Sequence, residues 1–181
     1  MNNFARFWRW VSCLLILQIS IPTTAMAEKE RTWQRHEIKA MVAREARRMG
    51  LPISLALAVA HVESYFNPEA RSNVGAIGVM QIMPATGRAE YGLQPRDLRN
   101  PLINIRVGVH FLKRLIETYD GRVDIALSHY NGGSSVVTSR GNLRVIPATR
   151  SYVDMVQGLK RRYDDHLRKH GVKEEVLMAS R

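Results

Sequence analysis

Cysteine is almost missing from this chain. The single Cys13 lies at the start of an apolar run near the N-terminus, and no other thiol follows it. One cysteine makes no intramolecular disulfide. If the N-terminal run is removed, thiol catalysis and thiolate metal sites are excluded with it. Histidine is sparse and scattered: there are six, and none falls in an H-E-x-x-H pattern. His61-Val62-Glu63 imitates the H-x-E of zinc deaminases, but the paired cysteines those enzymes need are absent. Two residues apart on a helix, His61 and Glu63 also face different ways. Neither a metal nor another cofactor is expected. Ser134-Ser135 has no base signature beside it, so a serine hydrolase has no support. Acidic residues are in short supply as well, with 16 Asp and Glu against 27 Lys and Arg and a formal net charge of +11. No run alternates like a long strand, and there is no internal repeat or low-complexity segment. The apolar run at 11–21 is too short for a comfortable membrane span.

What stands at the N-terminus is a secretory leader. Arg6 and Arg9 form a short positive region, and the apolar run is broken only by Ser12, Gln18 and Ser20. Thr23-Thr24-Ala25-Met26-Ala27 puts small residues at the A-x-A positions, and Glu28 opens a charged sequence. A lipid-modified cysteine would follow the run, whereas Cys13 begins it. The expected organisation is a signal peptide at 1–27 and one domain at 28–181 ending in a charged tail. The mature protein is expected in the periplasm, with no stable membrane span after cleavage. About 154 residues then remain, enough for one core. Losing Arg6 and Arg9 lowers the formal charge by two, from +11 to +9. A basic exported protein is drawn to polyanions: nucleic acid, anionic lipid, or a wall carrying carboxylates. Charge alone does not choose among them. The basic group Lys160, Arg161 and Arg162 sits in no recognised nucleic-acid module, and with export this argues against a nucleic-acid partner.

The rest reads as helical. Apolar residues at Trp33, Ile38, Met41, Val42, Ala46 and Met49 give one buried stripe over 33–49, closed by Gly50. Pro52 opens a second helix, Ile53–Ser64, made almost throughout of Leu, Ala and Val and so expected at the centre of the core. Asn67-Pro68 is expected to stop it. Further helices are predicted from Pro84 towards Tyr91, over 101–119 behind the Asn100-Pro101 cap, over 124–130, and from Pro147 to about His166. The segment 75–80 has room for a short hairpin.

The chemistry gathers at residues 61–84. Glu63 ends an apolar segment and is followed by a loop rich in Gly, Asn and Ser, then Met80-Gln81. A carboxyl among apolar neighbours resists ionisation and keeps a proton to donate near neutral pH. Cleavage of a glycosidic bond begins with such a donation. The usual route also needs a second carboxylate. The acids available in sequence, Glu69, Glu90, Asp97, Asp120 and Asp124, sit in loops, at turns or on a helix edge, where solvated charges and caps are the rule.

Three blocks in order resemble the catalytic domain of the soluble lytic transglycosylase (SLT) family, with its goose-lysozyme-like fold. They are Glu63-Ser64 with Phe66-Asn67-Pro68; Ser72 with Gly75-Ala76-Ile77-Gly78-Val79-Met80-Gln81-Ile82-Met83-Pro84; and Tyr130-Asn131-Gly132-Gly133. Thr149-Arg150-Ser151-Tyr152-Val153 resembles the family's terminal T-x-x-Y-V element. Two positions depart from the pattern: His129 stands where the family usually has Ala, and Ala148 where an acid commonly precedes the Thr. The resemblance implies a mainly α, lysozyme-like single domain with a short β-hairpin loop. It implies an enzyme that cleaves the β-1,4 bond between N-acetylmuramic acid and N-acetylglucosamine in peptidoglycan. Glu63 would act as acid and then as base, and the muramic 6-hydroxyl would close a 1,6-anhydro ring. Ser72 and Gln81 are candidate partners for the acid and the sugar acetamido group, and Met80 is a candidate apolar wall of a subsite. Tyr130 is a candidate to hold Glu63 or the acetamido group. Asn131 serves substrate or turn, and Tyr152 is either a site hydroxyl or a core aromatic. Partners implied are peptidoglycan strands and, beyond them, proteins of a secretion system or the wall machinery. A hydrolytic muramidase and a weakly active wall-binding component of a secretion apparatus are the alternatives.

Overall fold

The structure is a computed structural model and describes residues 33–170. The expected leader, its cleavage point and the end of the charged tail lie outside the described residues. Six α-helices follow in chain order: α1 (Arg35–Met49), α2 (Ile53–Ser64), α3 (Pro84–Tyr91), α4 (Pro101–Thr118), α5 (Val123–Gly132) and α6 (Arg150–His170). Short 3-10 turns lie at Asp97–Arg99, Ser134–Val136 and Pro147–Thr149. The architecture is mainly helical and lysozyme-like. Helix α2 is the hub. Every residue from Ser54 to Ala60 is buried, and the helix packs against α1 on one side and α6 on the other. A helix apolar all round has nowhere else to go. Helix α4 packs against α1 and α5 and completes the core with Ile105, Val109 and Leu112.

Local chemistry sets most helix ends. Glu37 accepts the backbone N–H of Gln34 at 2.8 Å, completing a capping box at α1. Gly50 ends that helix in the left-handed region, and the Leu51 N–H returns to the Ala46 carbonyl at 2.9 Å. Asn100 Oδ1 accepts the N–H groups of Leu102 and Ile103 at 3.0 and 3.3 Å, and Pro101 occupies the first position of α4.

Helix α2 ends at Ser64 as expected, but Asn67-Pro68 is not what stops it. It stops at Ser64, before Asn67-Pro68, because Tyr65 and Phe66 both turn left-handed, with φ of 54° and 64°. Side chains with a Cβ adopt this conformation only when tertiary contacts hold it. Here Phe66 is driven into the core, 1% exposed. The chain thereby leaves α2 two residues after Glu63.

The 67–83 loop then folds back over that helix end. The expected hairpin is reduced to isolated antiparallel bridges, Arg71 with Ile77 and Ile77 with Ile82, and no strand forms among the described residues. Side-chain hydrogen bonds do the work a ladder would do. Asn104 of α4, fully buried, donates to the carbonyls of Ile77 and Leu98 at 2.8 and 3.0 Å and accepts the Met80 N–H at 2.8 Å. Ser64 Oγ donates to the Val79 carbonyl at 2.8 Å. The loop lies close to α4: a Cβ on Gly108 would stand 2.4 Å from the Met80 Cβ. Gly108→Ala would force the loop off the helix.

Candidate functional site

Glu63 lies in the last turn of α2, a helix that packs against α6 and whose next residue, Ser64, is bonded to the 67–83 loop. Tyr152, near the start of α6, donates its hydroxyl to Glu63 Oε1 at 2.6 Å. Among the described residues no other hydrogen bond or ion pair reaches the carboxyl, which leaves Oε2 for a ligand. Burial pushes the Glu63 pKa up to about 7, and the Tyr152 hydrogen bond pulls back in the other direction. Desolvation penalises the charged form, and one neutral donor recovers only part of the cost. No charged neighbour contributes to the shift. At neutral pH the group is divided between acid and carboxylate, the condition a group needs to give a proton and then take one back.

The candidate residues fall into distinct roles. Tyr152 is 8% exposed and packs in the core while its hydroxyl meets Glu63. Tyr130, in the last turns of α5, is half-buried, and its hydroxyl donates to the Met80 carbonyl at 2.8 Å rather than to Glu63. The hydroxyl is still within the field of Glu63. Burial, then the Glu63 charge, hold its pKa well above the usual tyrosine value. Gln81 sits at φ 45° and donates its side-chain amide to the carbonyls of Ala70 and Gly78 at 3.2 and 2.9 Å. Both donors are engaged with the loop, and the amide oxygen is the end left to meet a ligand. Ser72 Oγ accepts the Ala76 N–H at 3.0 Å and so closes the loop on itself. Met80 is placed differently from the subsite wall the sequence proposed. It is 0% exposed and packed against Gly108, so its side chain fills the core, while its carbonyl accepts the Tyr130 hydroxyl. Asn131 is exposed in the final turn of α5.

The five acids considered as a second carboxylate are placed elsewhere. Glu90 is paired with Arg114 at 2.6 Å and Asp124 with Arg122 at 2.8 Å. Asp97 accepts the Gln94 N–H at 2.8 Å. Glu69 and Asp120 are exposed. Sequence reasoning missed Asn104 and Ser64, which fix the loop that faces Glu63. Asn104 had a readable signal, an amide on an otherwise apolar stripe of α4; Ser64 was named in the first block but given no role.

A family model, the transglycosylase SLT domain, matches residues 40–150. The chain belongs to that family. Glu63, Ser72, Met80, Gln81, Tyr130 and Asn131 lie inside the match, and Tyr152 lies two residues beyond it. Among proteins of known role, membrane-bound lytic murein transglycosylase C of Glaesserella parasuis is 39% identical over 112 residues, covering 54% of this chain and 31% of that one. The soluble lytic murein transglycosylase of Salmonella typhimurium is 32% identical over 146 residues, covering 70% of this chain and 22% of that one. Of solved structures, an inactive glutamate-to-glutamine mutant of the lytic transglycosylase Slt from Pseudomonas aeruginosa superposes with a TM-score of 0.62. It is 29% identical, covering 72% of this chain and 24% of that one. The 70 kDa soluble lytic transglycosylase of Escherichia coli gives a TM-score of 0.61 at 28% identity, covering 70% of this chain and 24% of that one. The chain thus spans about a third or less of the length of each of these relatives.

Proposed function

We propose that the protein is a peptidoglycan lytic transglycosylase in which one carboxyl group, Glu63, performs both proton transfers. The observation that carries this reading is the isolation of Glu63: its carboxyl is desolvated, bonded to Tyr152 alone, and shifted to about 7 with no second carboxylate in its field. Supporting it are the family membership and relatives named as lytic murein transglycosylases. That one solved relative is an inactive glutamate-to-glutamine mutant agrees with a single essential glutamate.

In the proposed cycle the substrate is the β-1,4 bond between N-acetylmuramic acid and N-acetylglucosamine. Protonated Glu63 gives its proton to the bridging oxygen as the bond from that oxygen to the anomeric carbon breaks. The leaving sugar departs with a free 4-hydroxyl. The 2-acetamido carbonyl of the muramic ring shares its electrons with the anomeric carbon. Glu63, now a carboxylate hydrogen-bonded to Tyr152, takes the proton of the 6-hydroxyl, and that oxygen closes on the anomeric carbon. The acid is restored and no water is consumed. An aligned intramolecular hydroxyl has an effective concentration on the order of 10⁵ M or more, and water has no dedicated base here. Ring closure therefore outruns hydrolysis. The leader at 1–27 directs this activity to the periplasm, and a mature N-terminus at Glu28 is the expected result of N-terminal sequencing.

Mass analysis of fragments released from purified peptidoglycan tests the reading. Fragments should end in 1,6-anhydromuramic acid, lighter by one water than a reducing end. Reducing muramic ends would instead make the protein a hydrolytic muramidase. Loss of activity on changing Glu69, Glu90, Asp97, Asp120 or Asp124 to its amide, as deep as that from Glu63→Gln, would reveal a second catalytic carboxylate.

A further inference from the structure

Between α5 and α6 the chain throws out a short loop that the cleavage reaction does not use. Its base is anchored: Val136 is buried in a core cluster with Leu115, Tyr119 and Ile125, and Val145 and Ile146 pack against the same cluster. Its tip is held by its own hydrogen bonds. The Thr138 N–H donates to the Asn142 carbonyl and the Gly141 N–H to the Thr138 carbonyl, each at 2.9 Å, and Thr138 Oγ1 accepts the Asn142 N–H at 3.1 Å. Gly141 turns the tip at φ 79°, a conformation that favours glycine. One antiparallel bridge joins Val137 to Leu143, and residues paired in this way present their side chains on the same face. That face looks to solvent: Val137 is 49% exposed and Leu143 39%. A braced loop therefore holds an aliphatic pair in water.

The charge around the pair is of one sign. From Ile125 to Val153 there is no Asp or Glu, while Arg140 stands at the tip, Arg144 follows Leu143, and Arg150 starts α6. Among the described residues none of the three is in an ion pair. The acids that bound this span are Asp124, already paired with Arg122, and Asp154, one turn along α6 from Arg150. Exposed aliphatic side chains flanked by uncommitted arginines fit one kind of surface. A soluble polyanion rewards the arginines but gives nothing to Val137 and Leu143. A stable protein interface takes on the order of 800 Å² from each partner, far more than two side chains supply. An anionic bilayer uses both: aliphatic groups enter the boundary between headgroups and acyl chains, and guanidinium groups meet lipid phosphates. We propose that this loop is a membrane-docking element, a reversible peripheral contact with a bilayer rich in anionic lipid, made by Val137, Leu143, Arg140 and Arg144. None of these residues takes part in the chemistry at Glu63, so docking and cleavage are separable.

The test is co-sedimentation of the exported protein with lipid vesicles, its mature N-terminus verified by sequencing so that the apolar run at 11–21 adds nothing. It should bind vesicles of phosphatidylcholine and phosphatidylglycerol in equal amounts, bind phosphatidylcholine alone far less, and release in high salt. Arg140→Glu and Arg144→Glu should each weaken binding by roughly fivefold or more, the scale of one basic residue near an anionic surface. Val137→Ser combined with Leu143→Ser should weaken it by roughly tenfold or more. These variants should cut purified peptidoglycan, which carries no lipid, at about the wild-type rate, and that rate also certifies their folding. Glu63→Gln should bind vesicles as the wild type does. Leu143→Trp reports from the loop itself: its added emission, read against wild type, should shift to shorter wavelength on anionic vesicles and be quenched by brominated acyl chains. The proposal is overturned if the wild type binds neither vesicle or both equally, if the serine pair leaves binding unchanged, or if the added tryptophan is not quenched. Lost cleavage with vesicle binding kept would assign the loop to the glycan cleft instead, and a dimer that the serine pair dissolves would assign it to a second copy of the chain.

Discussion

Glu45, in the seam between α1 and α4, and Glu63, in the seam between α2 and α6, are both carboxylates sheltered from water by helices, and their protons behave in opposite ways. Glu45 accepts hydrogen bonds from Arg48 at 2.6 and 3.1 Å and from Arg106 at 3.2 Å. The Arg48 bond is the larger cause holding its pKa below the usual carboxylate value, against the opposing effect of burial. Glu63 has only the neutral Tyr152 hydroxyl, and burial wins, lifting it to about 7. Shelter alone therefore does not raise the pKa of a carboxyl. The absence of a cationic partner does, and the core supplies it by surrounding Glu63 with a helix of Leu, Ala and Val.

Removing each carboxyl in turn is the most direct way to break this contrast. Glu63→Gln keeps the shape and can still accept from Tyr152, but has no proton to give. Cleavage of purified peptidoglycan, followed by released fragments, should fall by about a hundredfold or more. The same variant carries a stability signature. Between pH 4.5 and about 7 the folded state holds a proton on Glu63 that the unfolded state has released, so stability falls as pH rises through that window and stays lower above it. Glu63→Gln escapes the loss. Its Tm should exceed the wild-type value by roughly 3–10 °C at pH 8, and the two should converge near pH 4.5 in calorimetric scans.

Tyr152→Phe sharpens the comparison by removing the donor that lowers the Glu63 pKa. The rate should drop by about tenfold. The alkaline limb of the pH–rate profile should move upward by about one unit or less. A merely structural aromatic would leave that limb in place. The smallest effect belongs to the other seam. Glu45→Gln should lower Tm by roughly 2–4 °C near neutral pH, because the partner arginines are half-exposed and solvent screens the pairs. A carboxylate with a lowered pKa stabilises the fold above its unfolded value and loses that contribution as pH falls through the folded value. The Tm difference should therefore vanish in acid, and peptidoglycan cleavage should stay within about twofold of wild type.

What the sequence revealed follows from the range of the forces involved. Caps are local, so Gly50 and Asn100-Pro101 could be read directly, as could the all-apolar α2 that had to be central. Glu63 was legible because its apolar neighbours and its desolvation are both written within one helix. The end of α2 at Ser64 was legible too, but its cause was not: Tyr65 and Phe66 are held left-handed as Phe66 enters a core built from distant segments. Helix α5 continues through Asn131-Gly132, past the expected stop, with Gly132 against Ile146 and Thr149. A Cβ there would stand 2.6 Å from Thr149 Cγ2, a contact across 17 positions of sequence. Met80 was misplaced for a related reason: beside Gln81 it resembles a loop residue facing ligand, and only the close approach of Gly108 shows that it fills the core. Asn104 holds the same loop from 27 residues away.

The central claim is that Glu63 is one isolated carboxyl poised between acid and base. Carbon-13 NMR of the glutamate side-chain carboxyl groups, followed from pH 3 to pH 9 and assigned by comparison with Glu63→Gln, measures this without reference to any substrate. The account predicts that the Glu63 resonance titrates at about 7 and that Glu45 titrates below the ordinary glutamate range. A Glu63 resonance that titrates at or below the ordinary value would contradict it.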